Sequence, residues 1–181
     1  LPGNVVCLDA ARDADAPRLV ALDGWRTVVE FDGDGVLRGR HELDLPADAA
    51  VTFLRSAVAK EGGRWWLGGG RGDGQVFVFD DAFGLHAAYP ERSAADDRIA
   101  DAELADLDGD GVPEVIVAFQ GPRGVEVVTL DGRPRSSDRT AAAAVVVGPP
   151  GTGADRGVLM VTAAGRLRRC SFSETAGATP P

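Results

Sequence analysis

Asp106-Leu107-Asp108-Gly109-Asp110-Gly111-Val112-Pro113-Glu114-Val115 reads as a calcium loop with no helix on either side. Three carboxylates alternate at Asp106, Asp108 and Asp110, so successive side chains can converge on one hard cation. Gly111 permits the sharp turn that a loop wrapped around an ion requires, and position seven, Val112, offers its backbone carbonyl. The twelve-residue helix-flanked calcium site takes a bidentate Glu at position twelve. Here Val117 stands at that place and the acid comes at position nine, Glu114. Four acids so close together repel one another at neutral pH unless something cationic lies among them. The competing reading is an acidic turn whose carboxylates accept backbone N–H groups without a metal. Val115-Ile116-Val117-Ala118-Phe119 follows, β-branched and closed by Gln-Gly-Pro, as a buried strand would be. The loop therefore joins strands.

Self-comparison extends that strand into a pattern. Val28-Val29-Glu30-Phe31-Asp32 recurs as Val76-Phe77-Val78-Phe79-Asp80 and as Val127-Val128-Thr129-Leu130-Asp131, with a weaker copy at Leu159-Met160-Val161-Thr162-Ala163. A turn glycine follows each copy (Gly33 or Gly35, Gly84, Gly132, Gly165), and then a second strand, giving four hairpins of one type. Aligned on Phe31, Phe79, Leu130 and Thr162, the spacings are 48, 51 and 32 residues. Periods of about 40–50 residues built from short strands are the signature of propeller blades. A further strand precedes each hairpin (Arg18–Leu22, Arg64–Leu67, Glu114–Phe119, Ala142–Val147), and another precedes three of these (Val5–Leu8, Val51–Val58, Ala102–Leu107). The expectation is an all-β protein, a β-propeller of about four four-stranded blades near 1–45, 46–92, 93–138 and 139–172. The last blade is incomplete, and residues 173–181 form a tail that frays. Such a unit is either a four-bladed ring or part of a larger one.

The totals agree with a soluble all-β domain. The 181 residues suffice for a buried core, and 24 glycines with 11 prolines suit many tight turns. Nineteen basic against 28 acidic residues leave a net charge of −9, which argues against nucleic acid or an anionic membrane as partner. No apolar run approaches the ~20 residues that span a bilayer, so membrane insertion is not expected. The chain begins at Leu1, which is read as a mature or trimmed form. Cys7 and Cys170 either are buried free thiols or form a bridge fastening the first repeat to the last.

Asp-x-Asp-Gly-Asp-Gly-x-Pro-Glu followed by a β-branched strand resembles the FG-GAP/VCBS repeat, the calcium-loop blade of integrin α-subunit propellers and of many bacterial extracytoplasmic proteins. The resemblance is strongest over 99–132 and includes Ala118-Phe119-Gln120-Gly121-Pro122. It implies that the loop joins a blade's first two strands, that Asp106, Asp108, Asp110, Val112 and Glu114 ligate Ca²⁺, and that the ion is structural. Family propellers commonly have seven blades, and this chain encodes about four.

Other motifs carry less. Asp9, Asp13 and Asp15 in blade one resemble a decayed calcium loop with Arg12 among the acids, and Lys60-Glu61-Gly62-Gly63 in blade two has no ligand set. Asp32-Gly33-Asp34-Gly35 reads as a hairpin turn. Gly148-Pro149-Pro150-Gly151-Thr152-Gly153 imitates a phosphate loop but continues with Ala154 and Asp155 where a Lys and a hydroxyl are needed. Arg71-Gly72-Asp73 is a chance adhesion tripeptide. Asp96, Asp97, Asp101 and Glu103 are expected on a solvated acidic rim, and Arg166, Arg168 and Arg169 on the polar face of an outer strand. Trp25, Trp65 and Trp66 are wedges between blades or a binding platform. His41 and His86 stand beside strands, with no nucleophile-elbow setting near them.

The expected function is a non-catalytic, extracytoplasmic, calcium-stabilised binding or scaffold module, docking a protein or glycan or serving as a subunit of a larger assembly. The alternatives are a metal-dependent hydrolase using carboxylates on a propeller face, and a structural protein that completes its ring with another copy.

Overall fold

The computed structural model describes residues 5–12, 17–70, 73–94, 96–147, 157–170 and 173–174. They form four antiparallel sheets in chain order. The first holds β1 (Val5–Arg12), β2 (Pro17–Asp23), β3 (Thr27–Asp32) and β4 (Leu37–Glu42). The second holds β5 (Phe53–Val58), β6 (Arg64–Gly69), β7 (Val76–Phe79) and β8 (Leu85–Tyr89). The third holds β9 (Ile99–Ala105), β10 (Glu114–Phe119), β11 (Val125–Val128) and β12 (Pro134–Asp138). The fourth has three strands, β13 (Ala142–Val147), β14 (Val158–Thr162) and β15 (Leu167–Arg169). The all-β blade architecture expected from the repeats is the architecture found, short fourth blade included. Ser173–Glu174 (β16), the start of the segment expected to fray, instead adds a fifth strand to the third sheet by pairing with β12.

The sheets stack face to face, and their first strands succeed one another: β1 packs beside β5, β5 beside β9, and β9 beside β13. Three cores fill the spaces between blades. Val20, Leu22 and Val28 of the first sheet meet Trp66, Phe77 and Phe79 of the second. Leu67 and Val78, on the second sheet's other face, meet Val115, Val117 and Phe119. Ile116, Ala118 and Val127 turn the opposite way onto Val145, Val158 and Met160. This explains why Val115–Phe119 reads as a continuous apolar run: alternate residues enter two different cores, so all five are buried. Cys170 belongs to the last of these cores as a free thiol. Burial pushes its pKa up to about 11; the Cys7 side chain lies outside the described residues.

All four hairpins close by the same hydrogen bonds. Asp32 Oδ1 accepts from the Val36 N–H at 2.9 Å and Asp80 Oδ1 from the Gly84 N–H at 2.8 Å. Thr129 and Thr162 do the same with Oγ1, accepting from Arg133 at 3.1 Å and Arg166 at 3.2 Å. The structural repeat is thus 32, 80, 129 and 162, with spacings of 48, 49 and 33. The strand-based alignment placed Asp131 opposite Asp80; the equivalent residue is Thr129, whose hydroxyl replaces the carboxylate as acceptor. The residue three positions on is left-handed every time: Gly35 (φ 77°), Phe83 (φ 65°), Gly132 (φ 79°) and Gly165 (φ 74°). In blade two that place belongs to Phe83 and not to Gly84.

Candidate metal centre

The acidic loop runs from the end of β9 to the start of β10, the first two strands of the third sheet. Asp106, Asp108 and Glu114 each bring one carboxylate oxygen within 4.8 Å of the others. Gly109 N–H donates to Asp106 Oδ1 at 2.6 Å, Asp110 N–H to Asp108 Oδ1 at 3.1 Å, and Leu107 N–H to Glu114 Oε2 at 2.8 Å. These bonds hold the acids facing inward on a turn made by two left-handed glycines, Gly109 (φ 86°) and Gly111 (φ 96°). Gly111 also packs directly against the second sheet. Its carbonyl accepts from Lys60 N–H of the second sheet at 2.8 Å, and an added Cβ would lie 2.5 Å from the Lys60 Cβ.

Calcium takes oxygen ligands at roughly 2.3–2.6 Å, so oxygens on opposite sides of one ion stand about 5 Å apart. Asp106, Asp108 and Glu114 fit that requirement. Asp110 Oδ1 accepts from the Val112 N–H at 2.7 Å, and the Val112 side chain lies at the exposed edge of the turn.

One residue that the sequence did not single out reaches the same place. Val127 pairs with Ser136 and Val128 with Pro134, which leaves Arg135 as the extra residue of a β-bulge. The bulge aims the Arg135 guanidinium at the loop, where Nη1 lies 2.9 Å from Asp108 Oδ2 and bonds Glu114 Oε1 as well. The same bulge recurs at Arg38 in the first sheet and His86 in the second. A basic residue six positions after each hairpin acceptor was the available signal. Burial pushes the Glu114 carboxyl above the usual glutamate value, and the neighbouring Asp108 and Asp110 charges add to this; the Leu107 N–H and Arg135 only partly oppose it. Burial works to raise Asp108 too, but there the Asp110 N–H and the guanidinium prevail, and its pKa lies below the ordinary value.

Behind the loop a cavity of about 320 Å³ opens between the third and fourth sheets. Leu107, Val127 and Val158 form its apolar wall, and Glu114, Arg135 and Arg169 its charged one.

Elsewhere the acids before the loop are not a solvated rim. Asp97 bonds Arg123 at 2.6 Å, Glu103 bonds Arg55 of the second sheet at 3.0 Å, and buried Asp101 accepts from the Val145 N–H of the fourth at 3.3 Å. Only Asp96 is exposed. Asp101 and Glu103 face neighbouring sheets because β9 is flanked by a blade on each side, whereas Asp97 pairs within its own blade, with Arg123 of the β10–β11 turn. Arg168 reaches Asp138 of the third sheet at 3.0 Å. Trp66 is a buried wedge, Trp65 is half-buried against His86, and Trp25 is exposed on the β2–β3 turn. His41 lies against Phe83. Asp9 lies within β1 and not in a loop, while Asp13, Asp15, Arg71, Gly72 and 148–153 lie outside the described residues.

No protein-family model and no curated relative matches the chain. Solved structures do. BBS1N in complex with ARL6DN, soaked with lead, superposes with a TM-score of 0.64 at 14% identity, over 96% of this chain and 56% of that one. A protein of unknown function from Bacteroides caccae gives 0.54 at 12% identity, over 89% and 58%. Chaetomium thermophilum Raptor gives 0.57 at 11% identity, over 93% and 16%. The chain spans little more than half the length of the first of these and a smaller part of Raptor. The likeness establishes a β-propeller-type fold.

Proposed function

We propose that this chain is a non-catalytic propeller module of FG-GAP/VCBS type that docks a protein partner within a larger assembly and is braced by calcium in an extracytoplasmic compartment. The observation that carries the docking reading is the outward face of the fourth sheet. Val146 pairs with Leu159 and Val161 with Leu167, so all four side chains share the face turned away from the third sheet. Val146 is 59% and Leu167 69% exposed, an apolar surface of the kind that other blades cover with their neighbours. Aliphatic side chains without an aromatic platform suit a protein better than a glycan. That BBS1N was crystallised in complex with ARL6DN is consistent with such use of this fold. A photo-crosslinking residue at Leu167, in cells making the protein, is expected to yield one discrete protein adduct. Val146→Asp should abolish the adduct and leave the melting temperature unchanged. Labelling no stronger than at an exposed polar control site would count against the docking reading.

The brace is read from Asp106, Asp108 and Glu114, whose three carboxylates meet at one point. Calcium bound there would neutralise their mutual repulsion and tie β9 to β10. Extracellular calcium modules bind with Kd of roughly 10⁻⁴–10⁻³ M, which is why the proposal places the protein outside the cytosol. With Kd of about 10⁻³ M, 10 mM calcium stabilises the fold by about 1.4 kcal/mol. That corresponds to a rise in Tm of roughly 3–6 °C. Asp108→Ala should show no rise. A wild-type Tm indifferent to calcium would remove the brace from the proposal.

A further inference from the structure

We infer that Arg135 is a resident competitor for the cation, a guanidinium that holds the acidic loop together without metal and must leave when metal arrives. The inference rests on the calcium reading above. Its ground is geometric. Arg135 Nη1 lies 2.9 Å from Asp108 Oδ2 and bonds Glu114 Oε1, two of the three carboxylates that meet at the loop. A divalent ion within coordinating distance of those oxygens would face a positive charge on the same atoms, so the two cations exclude each other.

Exposure and adjoining space make departure feasible. Arg135 is the extra residue of the bulge in β12, and its departure needs only a side-chain rotation that leaves the backbone ladder in place. Its side chain is 43% exposed, and the interblade cavity of about 320 Å³, which Arg135 itself lines, lies beside it. Asp106, the third acid, has its Oδ1 on the Gly109 N–H, so the loop keeps its turn while the guanidinium moves. The equivalent bulge residue Arg38 pairs with Asp32 of its own hairpin. In the third sheet that hairpin position is Thr129, which carries no charge, and Arg135 is directed to the loop.

Binding and release are then opposite sides of one equilibrium. Removing the guanidinium weakens the metal-free loop and strengthens the metal-bound one. Chelator-treated wild type, Arg135→Gln, Arg135→Met and Arg135→Lys are titrated with CaCl₂ by calorimetry, and each is melted in chelator and in excess calcium. The two neutral variants should bind calcium at least tenfold more tightly than wild type, while Arg135→Lys, which keeps the charge, stays within about threefold of it. In chelator the neutral variants should melt below wild type, and excess calcium should close that gap. The methionine variant keeps the apolar stem over the cavity and serves if the glutamine variant folds poorly. If wild type binds calcium and the neutral variants bind no tighter, or lysine tightens binding as much as they do, the competitor role is overturned and the calcium site stands. If neither wild type nor the neutral variants bind calcium, the calcium reading and the competitor fall together.

Discussion

Phe83→Ala is expected to destabilise the protein by about 3–4 kcal/mol, a large fraction of the roughly 5–15 kcal/mol by which folded domains are stable. Phe83 is 2% exposed, with its ring 5.0 Å from that of Trp66 and 4.9 Å from that of His41. It fills the core between the first and second sheets, although it sits in the β7–β8 turn. Removing the ring leaves a cavity against Trp66 that neighbouring side chains on rigid sheets cannot collapse into. The backbone modifies the outcome. Phe83 holds φ at 65° where the other three hairpins have glycine, a conformation that costs a side-chain-bearing residue about 1 kcal/mol. Phe83→Gly should therefore be less damaging than Phe83→Ala by about 1 kcal/mol, the reverse of the usual order outside turns. Urea denaturation of both variants measures this. Equal midpoints would mean that the left-handed turn relaxes in the alanine protein, and a glycine variant as stable as wild type would mean that the ring contributes nothing.

Arg123→Met should cost about 2–4 kcal/mol, somewhat less than the roughly 3–5 kcal/mol of breaking a fully buried ion pair, because Arg123 is 27% exposed. Its guanidinium bonds Asp97 at 2.6 Å and Glu126 at 2.5 Å, and lies 3.8 Å above the ring of Phe119. Tyr89 of the second sheet donates its hydroxyl to Glu126 at 2.6 Å, so the network joins two blades. Burial first, and then Glu126, raise the Tyr89 pKa and keep the phenol protonated as that donor. Without Arg123 two carboxylates lose their counter-charge, and that penalty exceeds the loss of the pair itself. Arg123→Lys should recover less than half of the loss, since a point charge cannot serve Asp97, Glu126 and the Phe119 face together. Thermal melts with a double-mutant cycle against Glu126→Gln measure the coupling. Additive effects would show that the network is not a unit.

The fold was open to sequence reading because its information is local and repeated. Continuous apolar runs such as Val76–Phe79 and Val115–Phe119, a turn every few residues and a period near 48 define a blade without reference to its neighbours. The alignment slipped where two chemistries do one job: a threonine hydroxyl and an aspartate carboxylate both accept the hairpin N–H, so matching Asp131 to Asp80 was reasonable and two residues out. Three acids of the candidate site were equally legible, since Asp106, Asp108 and Glu114 lie within nine residues and need only a turn to meet. Alternation points to Asp110 and the position-seven carbonyl to Val112, and the turn joins the two by the Val112 N–H bond to Asp110 Oδ1.

Arg135 marks the boundary between the two kinds of information. It lies 21 residues beyond Glu114, and its recurrence with Arg38 and His86 marks the bulge position but not the loop it contacts. It arrives there because β10, β11 and β12 are hydrogen-bonded side by side and a bulge re-aims one side chain across them. Asp97, Asp101 and Glu103 follow the same logic. As a sequence they are an acidic run fit for solvent, but the β10–β11 turn gives Asp97 to Arg123, and a blade on either side of β9 links Asp101 to the Val145 N–H and Glu103 to Arg55. Hydrophobic period and turn chemistry act over a few residues, so the chain alone determined its strands, its hairpins and its cluster of acids. Counter-charges depend on which side chains the stacked sheets bring together, so only the packed molecule assigned each acid its partner.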